Sequence, residues 1–215
     1  MYDQNTIHIP SGYGKIRFGR VEIRHIMLAV GALTLAFTLS FLRSSITGLS
    51  NVEFILYALG SSFVAVLTGF MLHELAHKVV AQRNGAWAEF RAYPMGLLLA
   101  VVTAVFGFLL AAPGAVYIQG AISRKQNGLI SIAGPLTNLG LGLLFLGLGL
   151  WLQNGLLAIA VYWIGSVNIL LAVFNLLPIP PLDGSKVLHW SVPVYAVTFG
   201  TTVVLAMLLL LGILA

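Results

Sequence analysis

The chain has 215 residues, of which 59% are apolar and only 8% charged, against about 25% charged in a typical soluble domain. That excludes a soluble globular fold. The eleven cations and six acids are too scattered for a nucleic-acid footprint, and the lack of cysteine removes disulfides, thiolate metal ligands and a cysteine nucleophile.

In chain order, residues 1–25 form a basic arm (Lys15, Arg17, Arg20, Arg24) with alternating Ile7 and Ile9, suited to lying near lipid headgroups. No small-x-small cleavage site follows convincingly, so 26–42 is expected as a retained helix rather than a signal. A span needs roughly 20 apolar residues, and 26–42, 54–82, 128–151, 156–177 and 192–214 meet or nearly meet that length. Ser50 or Asn51 is placed to cap the second of these, and Gly85 breaks it. Residues 86–94 alternate as a short strand does. The stretch 97–112 is apolar but short; Pro113-Gly114 forces a turn, and 115–119 looks extended again. Pro135 removes a backbone donor and is expected to bend the following helix. Glycines at 140 and 147, and at 142 and 149, share faces where a neighbouring helix can approach closely. The expected fold is an all-α polytopic membrane protein of five to six transmembrane helices, with a short membrane-associated β or re-entrant element over about 95–122. The basic arm 1–25 is followed by one membrane domain over 26–215.

The informative pentapeptide is His73-Glu74-Leu75-Ala76-His77. Two histidines four apart project from one helical face, the spacing at which two imidazoles meet a single zinc ion. Glu74 sits beside them, where a carboxylate can take a proton from activated water. Ionisable groups inside an apolar helix are costly, which favours function over structure. A catalytic zinc needs a third protein ligand. After Glu89 the remaining acid is Asp183, in a proline-rich stretch (Pro178, Pro180, Pro181) that stops a membrane helix. On composition alone His8, His25 and His189 compete with it.

The HELAH helix, then Gly134-Pro135-Leu136-Thr137-Asn138, then Asn175-xx-Pro178-x-Pro180-xx-Asp183-Gly184, together resemble the motifs of the site-2 protease family of intramembrane zinc metalloproteases, in that family's order, over about 55–185. The resemblance implies one zinc ion per chain held by His73, His77 and Asp183, with Glu74 as catalytic base. It also implies that Asn138 and Asn175 lie near the site, holding substrate backbone or the oxyanion. The implied activity is hydrolysis of peptide bonds in or near the transmembrane segments of single-span substrates, that is, regulated intramembrane proteolysis. The PDZ or nucleotide-sensing domains of relatives are not expected in this chain, and the insertion 95–122 is longer than in simple members. Oligomeric state is not legible. The rival reading is a non-proteolytic membrane protein that binds or transports metal.

Cations at 15–24 and 78–91 put the N-terminus and the HELAH end on the cytoplasmic side of a multi-pass cell-membrane protein. If 97–112 crossed once, Asp183 would emerge opposite the histidines, about 30 Å away. One ion could not then reach all three, so 95–122 is expected to enter and return on one side.

Overall fold

The computed structural model describes residues 16–42 and 50–213; the arm over 1–15, with His8, lies outside them. Helix α1 is Arg20–Phe41. It begins six residues before the expected start at 26, so Arg20, Glu22 and Arg24 belong to the helix and not to the arm. Glu22 serves this start twice: its Oε2 accepts the Gly19 N–H at 3.3 Å, which satisfies one of the amides left open at a helix start, and it pairs with the distant Lys78.

The next span runs unbroken over 33 residues, Asn51–Arg83. It comprises α2 (Asn51–Val66), a π-helical turn (Leu67–Met71) and α3 (Leu72–Arg83). Its start carries the expected cap. Ser50 Oγ accepts the Glu53 N–H, and Glu53 Oε2 accepts the Ser50 N–H at 2.9 Å, the reciprocal arrangement that closes two orphan donors.

Strand β1 (Trp87–Ala92) pairs antiparallel with β2 (Gly114–Gln119), with Trp87 opposite Gln119 and Ala92 opposite Gly114. Between them lies α4, Pro94–Val105. Its proline sits in the first turn, where a missing N–H breaks no bond. Twelve residues rise about 18 Å, short of the roughly 30 Å hydrocarbon core. The strand pairing then returns the chain to the end it left, which is the hairpin-like excursion expected of 95–122.

Helix α5 (Arg124–Leu152) is capped by Ser123, whose Oγ accepts the Gln126 N–H at 3.2 Å. It continues as one helix through Pro135. Helices α6 (Leu156–Asn175), α7 (Asp183–Trp190) and α8 (Val192–Leu210) complete the chain; α7 has no counterpart among the expected elements. Among the described residues five helices are long and apolar enough to cross a membrane: α1, the 51–83 helix, α5, α6 and α8. The molecule is therefore an all-α polytopic membrane protein with one small sheet, and large apolar side chains such as Met27, Trp151 and Leu210 face outward.

Of the four apolar clusters among the described residues, two tie the long helices together. Ala29, Leu33 and Ala36 of α1 meet Leu97, Ala100 and Ala104 of α4, while Leu146, Ile169 and Ala206 join α5, α6 and α8. The glycines of α5 divide. A Cβ at Gly142 would lie 2.5 Å from Ile169, and one at Gly149 would touch Tyr162, whereas nothing stands near Gly140 or Gly147. Only one of the two expected glycine faces packs against a neighbouring helix.

Candidate metal centre

His73 and His77 stand one turn apart on α3, which packs against the first half of α5. Asp183 is the first residue of α7, itself wedged against α5 and α8. The chain after α6 thus delivers the carboxylate to the imidazoles. Asp183 Oδ2 is 3.4 Å from His73 Nε2 and 3.0 Å from His77 Nε2, and the two Nε2 atoms are 2.9 Å apart. All three residues are buried.

The outer ring nitrogens fix what faces inward. His73 Nδ1 meets Asn138 Oδ1 at 2.7 Å, and Asn138 Nδ2 donates to the Gly69 carbonyl at 2.8 Å, which orients the amide. His77 Nδ1 meets the Ile130 carbonyl at 2.7 Å. Both partners only accept, so each Nδ1 carries its ring's proton and each Nε2 presents a lone pair. Two bare nitrogens and a carboxylate oxygen then converge with no donor among them, an arrangement that a cation satisfies. A tetrahedral zinc with bonds of about 2.0–2.1 Å separates its ligand atoms by about 3.3 Å, close to the spacings found. Lys186 Nζ, 3.2 Å from Asp183 Oδ1, steadies the carboxylate from outside. The donor set fits the metal. Gly134 makes this possible: a Cβ there would lie 2.5 Å from both Nε2 atoms.

Glu74 stands beside the three-ligand group and outside it. Its Oε2 accepts the Val116 N–H of β2 at 3.0 Å, and it borders a small cavity with Glu22, Lys78 and Phe90. Of the remaining candidates, Asn138 lies beside the cluster as expected, and the others have partners elsewhere. Asn138 is fully buried with both ends of its amide engaged, so in this arrangement it supports His73 rather than facing a substrate or oxyanion. Asn175 Nδ2 donates to Leu171 in its own helix at 2.9 Å. His25 Nδ1 accepts the Ala92 N–H at 3.2 Å, and His189 is exposed on α7; neither joins the group.

Two features escaped the sequence reading. The π-helical turn ends at Met71, two residues before the HELAH sequence begins with His73, and such turns cluster at functional sites. Asn168 of α6, fully buried, donates to Thr68 Oγ1 within that turn at 3.0 Å. An asparagine in an otherwise apolar span was the signal available for it.

Comparison with known proteins bears on what this cluster is. The model of Peptidase family M50 matches residues 151–211. A protein of Methanocaldococcus jannaschii, provisionally named a zinc metalloprotease, is 43% identical over 187 residues, covering 84% of this chain and 90% of that relative. Rip3 of Mycobacterium tuberculosis, also provisionally named a zinc metalloprotease, is 32% identical over 154 residues, or 70% of this chain and 35% of Rip3. A second Methanocaldococcus jannaschii protein, named a zinc metalloprotease, is 28% identical over 130 residues, 59% of this chain and 33% of its own. No solved structure matches the chain.

Proposed function

The chain belongs to peptidase family M50, the site-2 protease family, and on that premise we propose that it is an intramembrane zinc metalloprotease that cleaves peptide bonds in or near the transmembrane segments of single-span proteins. The observation that carries this reading is the convergence of His73 Nε2, His77 Nε2 and Asp183 Oδ2 with Glu74 beside them and uncommitted to the group. These three residues hold one zinc ion per chain. When bound, zinc polarises a carbonyl and lowers the pKa of water toward about 7.

The chain's own residues do the rest. Glu74 takes one proton as water oxygen attacks the scissile carbonyl carbon. It returns that proton to the amide nitrogen as the C–N bond breaks, and the second water proton, left on the new acid, passes to the departing amine, giving a carboxylate and an ammonium. Asn138 and the Ile130 carbonyl keep the two imidazoles in the tautomer that offers Nε2, a duty of outer partners in metal sites generally.

A helical substrate hides its peptide bonds, so the segment to be cut must be extended, and a strand edge receives an extended chain through main-chain hydrogen bonds. The outer edge of β1 is taken: Phe90 N–H reaches Glu22, Ala92 N–H reaches His25, and the Ala88 carbonyl accepts from Gln82. This favours β2 over 86–94 as the receiving edge.

Orientation follows from charge. Every described Lys and Arg lies toward the end of the bundle where α1 starts and α3 ends, while Glu53 marks the other end. By the positive-inside rule that end, with the metal centre near it, is cytoplasmic.

The test is zinc analysis of the purified protein with cleavage of single-span substrates. Glu74→Gln is expected to keep zinc and lose cleavage by about 10²- to 10⁴-fold, the usual share of a positioned base. Undiminished cleavage by that variant would point instead to a membrane metal-binding protein.

A further inference from the structure

Helices α1 and α3 share a second polar contact that the hydrolytic group does not use. Glu22 and Lys78 are both fully buried and form an ion pair, and the Lys78 ammonium also lies 3.9 Å from the centre of the Phe18 ring. A buried pair of this kind adds little stability over apolar residues of similar size, so its value lies in what it holds in place.

Glu22 holds the sheet. Its Oε1 accepts the Phe90 N–H at 3.0 Å, and Phe90 is the residue directly opposite Val116. Val116 in turn gives its N–H to Glu74, also at 3.0 Å. Both amides leave the sheet on its outer edges, which in an antiparallel pair marks a position where facing residues do not bond each other and their Cα atoms are about 4.5 Å apart. One cross-strand step therefore joins two carboxylates, Glu22 on the α1 side and Glu74 on the metal side. Two residues further along β1, the Ala92 N–H repeats the anchor on His25 of the same helix. This fixes register, because a slip of one residue would turn these amides inward.

We propose that Glu22 is a positioning residue for hydrolysis: by holding Phe90 against α1 it sets the place of the Val116 N–H, and through that bond the orientation of Glu74. Lys78 neutralises Glu22 and ties α1 to the helix that carries the base. The inference rests on the reading of Glu74 as the base.

Two double variants of the full-length, zinc-loaded protein separate the acceptor from the charge. Glu22→Leu with Lys78→Met removes both; Glu22→Gln with Lys78→Met removes the charges and keeps an amide oxygen for Phe90. A displacement of about 1 Å at a reacting group costs up to roughly 100-fold in rate. The first variant is accordingly expected to lose about 10- to 100-fold in kcat, with KM and zinc content held, while the second stays within about threefold of the unmodified protein. Amide hydrogen exchange is expected to quicken in both 87–92 and 114–119 for the first variant alone. Equal kcat in the two variants, or faster exchange confined to 87–92, would overturn the proposal. Should the first variant not reach full zinc content, Phe90→Pro removes the donor and leaves the ion pair; an unaltered kcat there overturns the proposal equally. Glu74→Gln run alongside separates the two ideas. If it cleaves like the unmodified protein, the hydrolase reading fails, while exchange at 114–119 still decides whether Glu22 governs that edge.

Discussion

At the scale of single residues the scarcity of charge made the proposed metal ligands legible. With six acids in 215 residues, a carboxylate ligand after Glu89 had to be Asp183, and the structure puts it against His73 and His77. What lay beyond reach was the second layer. Asn138 reads in the sequence as a group for the substrate, but its neighbours are His73 Nδ1 and the Gly69 carbonyl, and neither contact leaves a trace in spacing. Asn138→Leu removes the acceptor and frees the ring to turn; zinc affinity, measured by competition with a chelator, is expected to fall about 10- to 100-fold. Gly134 is the stricter position. Alanine there puts a methyl 2.5 Å from the Nε2 atoms of both His73 and His77, so Gly134→Ala is expected to purify without zinc and to cleave at under about 1% of the normal rate, the residual activity following metal content.

At the scale of elements the spans and the β-type segments were readable from hydrophobic runs and turn residues, but partnerships were not. Glu22 and Lys78 are 56 positions apart, and no local pattern pairs them. The same ignorance placed the start of α1 at 26, because a helix carrying Arg20, Glu22 and Arg24 looks like a polar arm until Glu22 finds its buried partner. Helix α7 was hidden by the prolines before it. The sheet yields a test of its own. Ile118 faces Ala88 at the same parity as Val116, so its N–H also points off the outer edge of β2, beside the Val116 N–H that Glu74 holds. Ile118→Pro breaks no bond to β1 yet denies that edge to an incoming strand. KM for an unwound transmembrane substrate is expected to rise about 10-fold with zinc content unchanged, and an unmoved KM would exclude β2 as the receiving edge.

At the scale of the whole molecule, the requirement that one ion reach residues 73, 77 and 183 predicted that 95–122 leaves and returns at one end, and the pairing of β1 with β2 meets that requirement. Sidedness is open to experiment because no native cysteine interferes. Ala121→Cys and Asn154→Cys are exposed positions flanking the two ends of α5. An impermeant thiol reagent applied to intact cells is expected to label position 154 and spare 121; the reverse pattern would invert the orientation. The π-helical turn at Leu67–Met71 has a further consequence for the bundle. Such a turn carries one residue more than the α ladder needs, and one residue is worth about 100° of rotation. The outer half of the 51–83 helix, docked on α1 and α6, is therefore out of phase with the half that presents the histidines. Removing a single residue from this turn would leave a shorter and more regular helix whose two histidines point away from Asp183. The protein keeps its metal face aligned by a local miscount in the backbone.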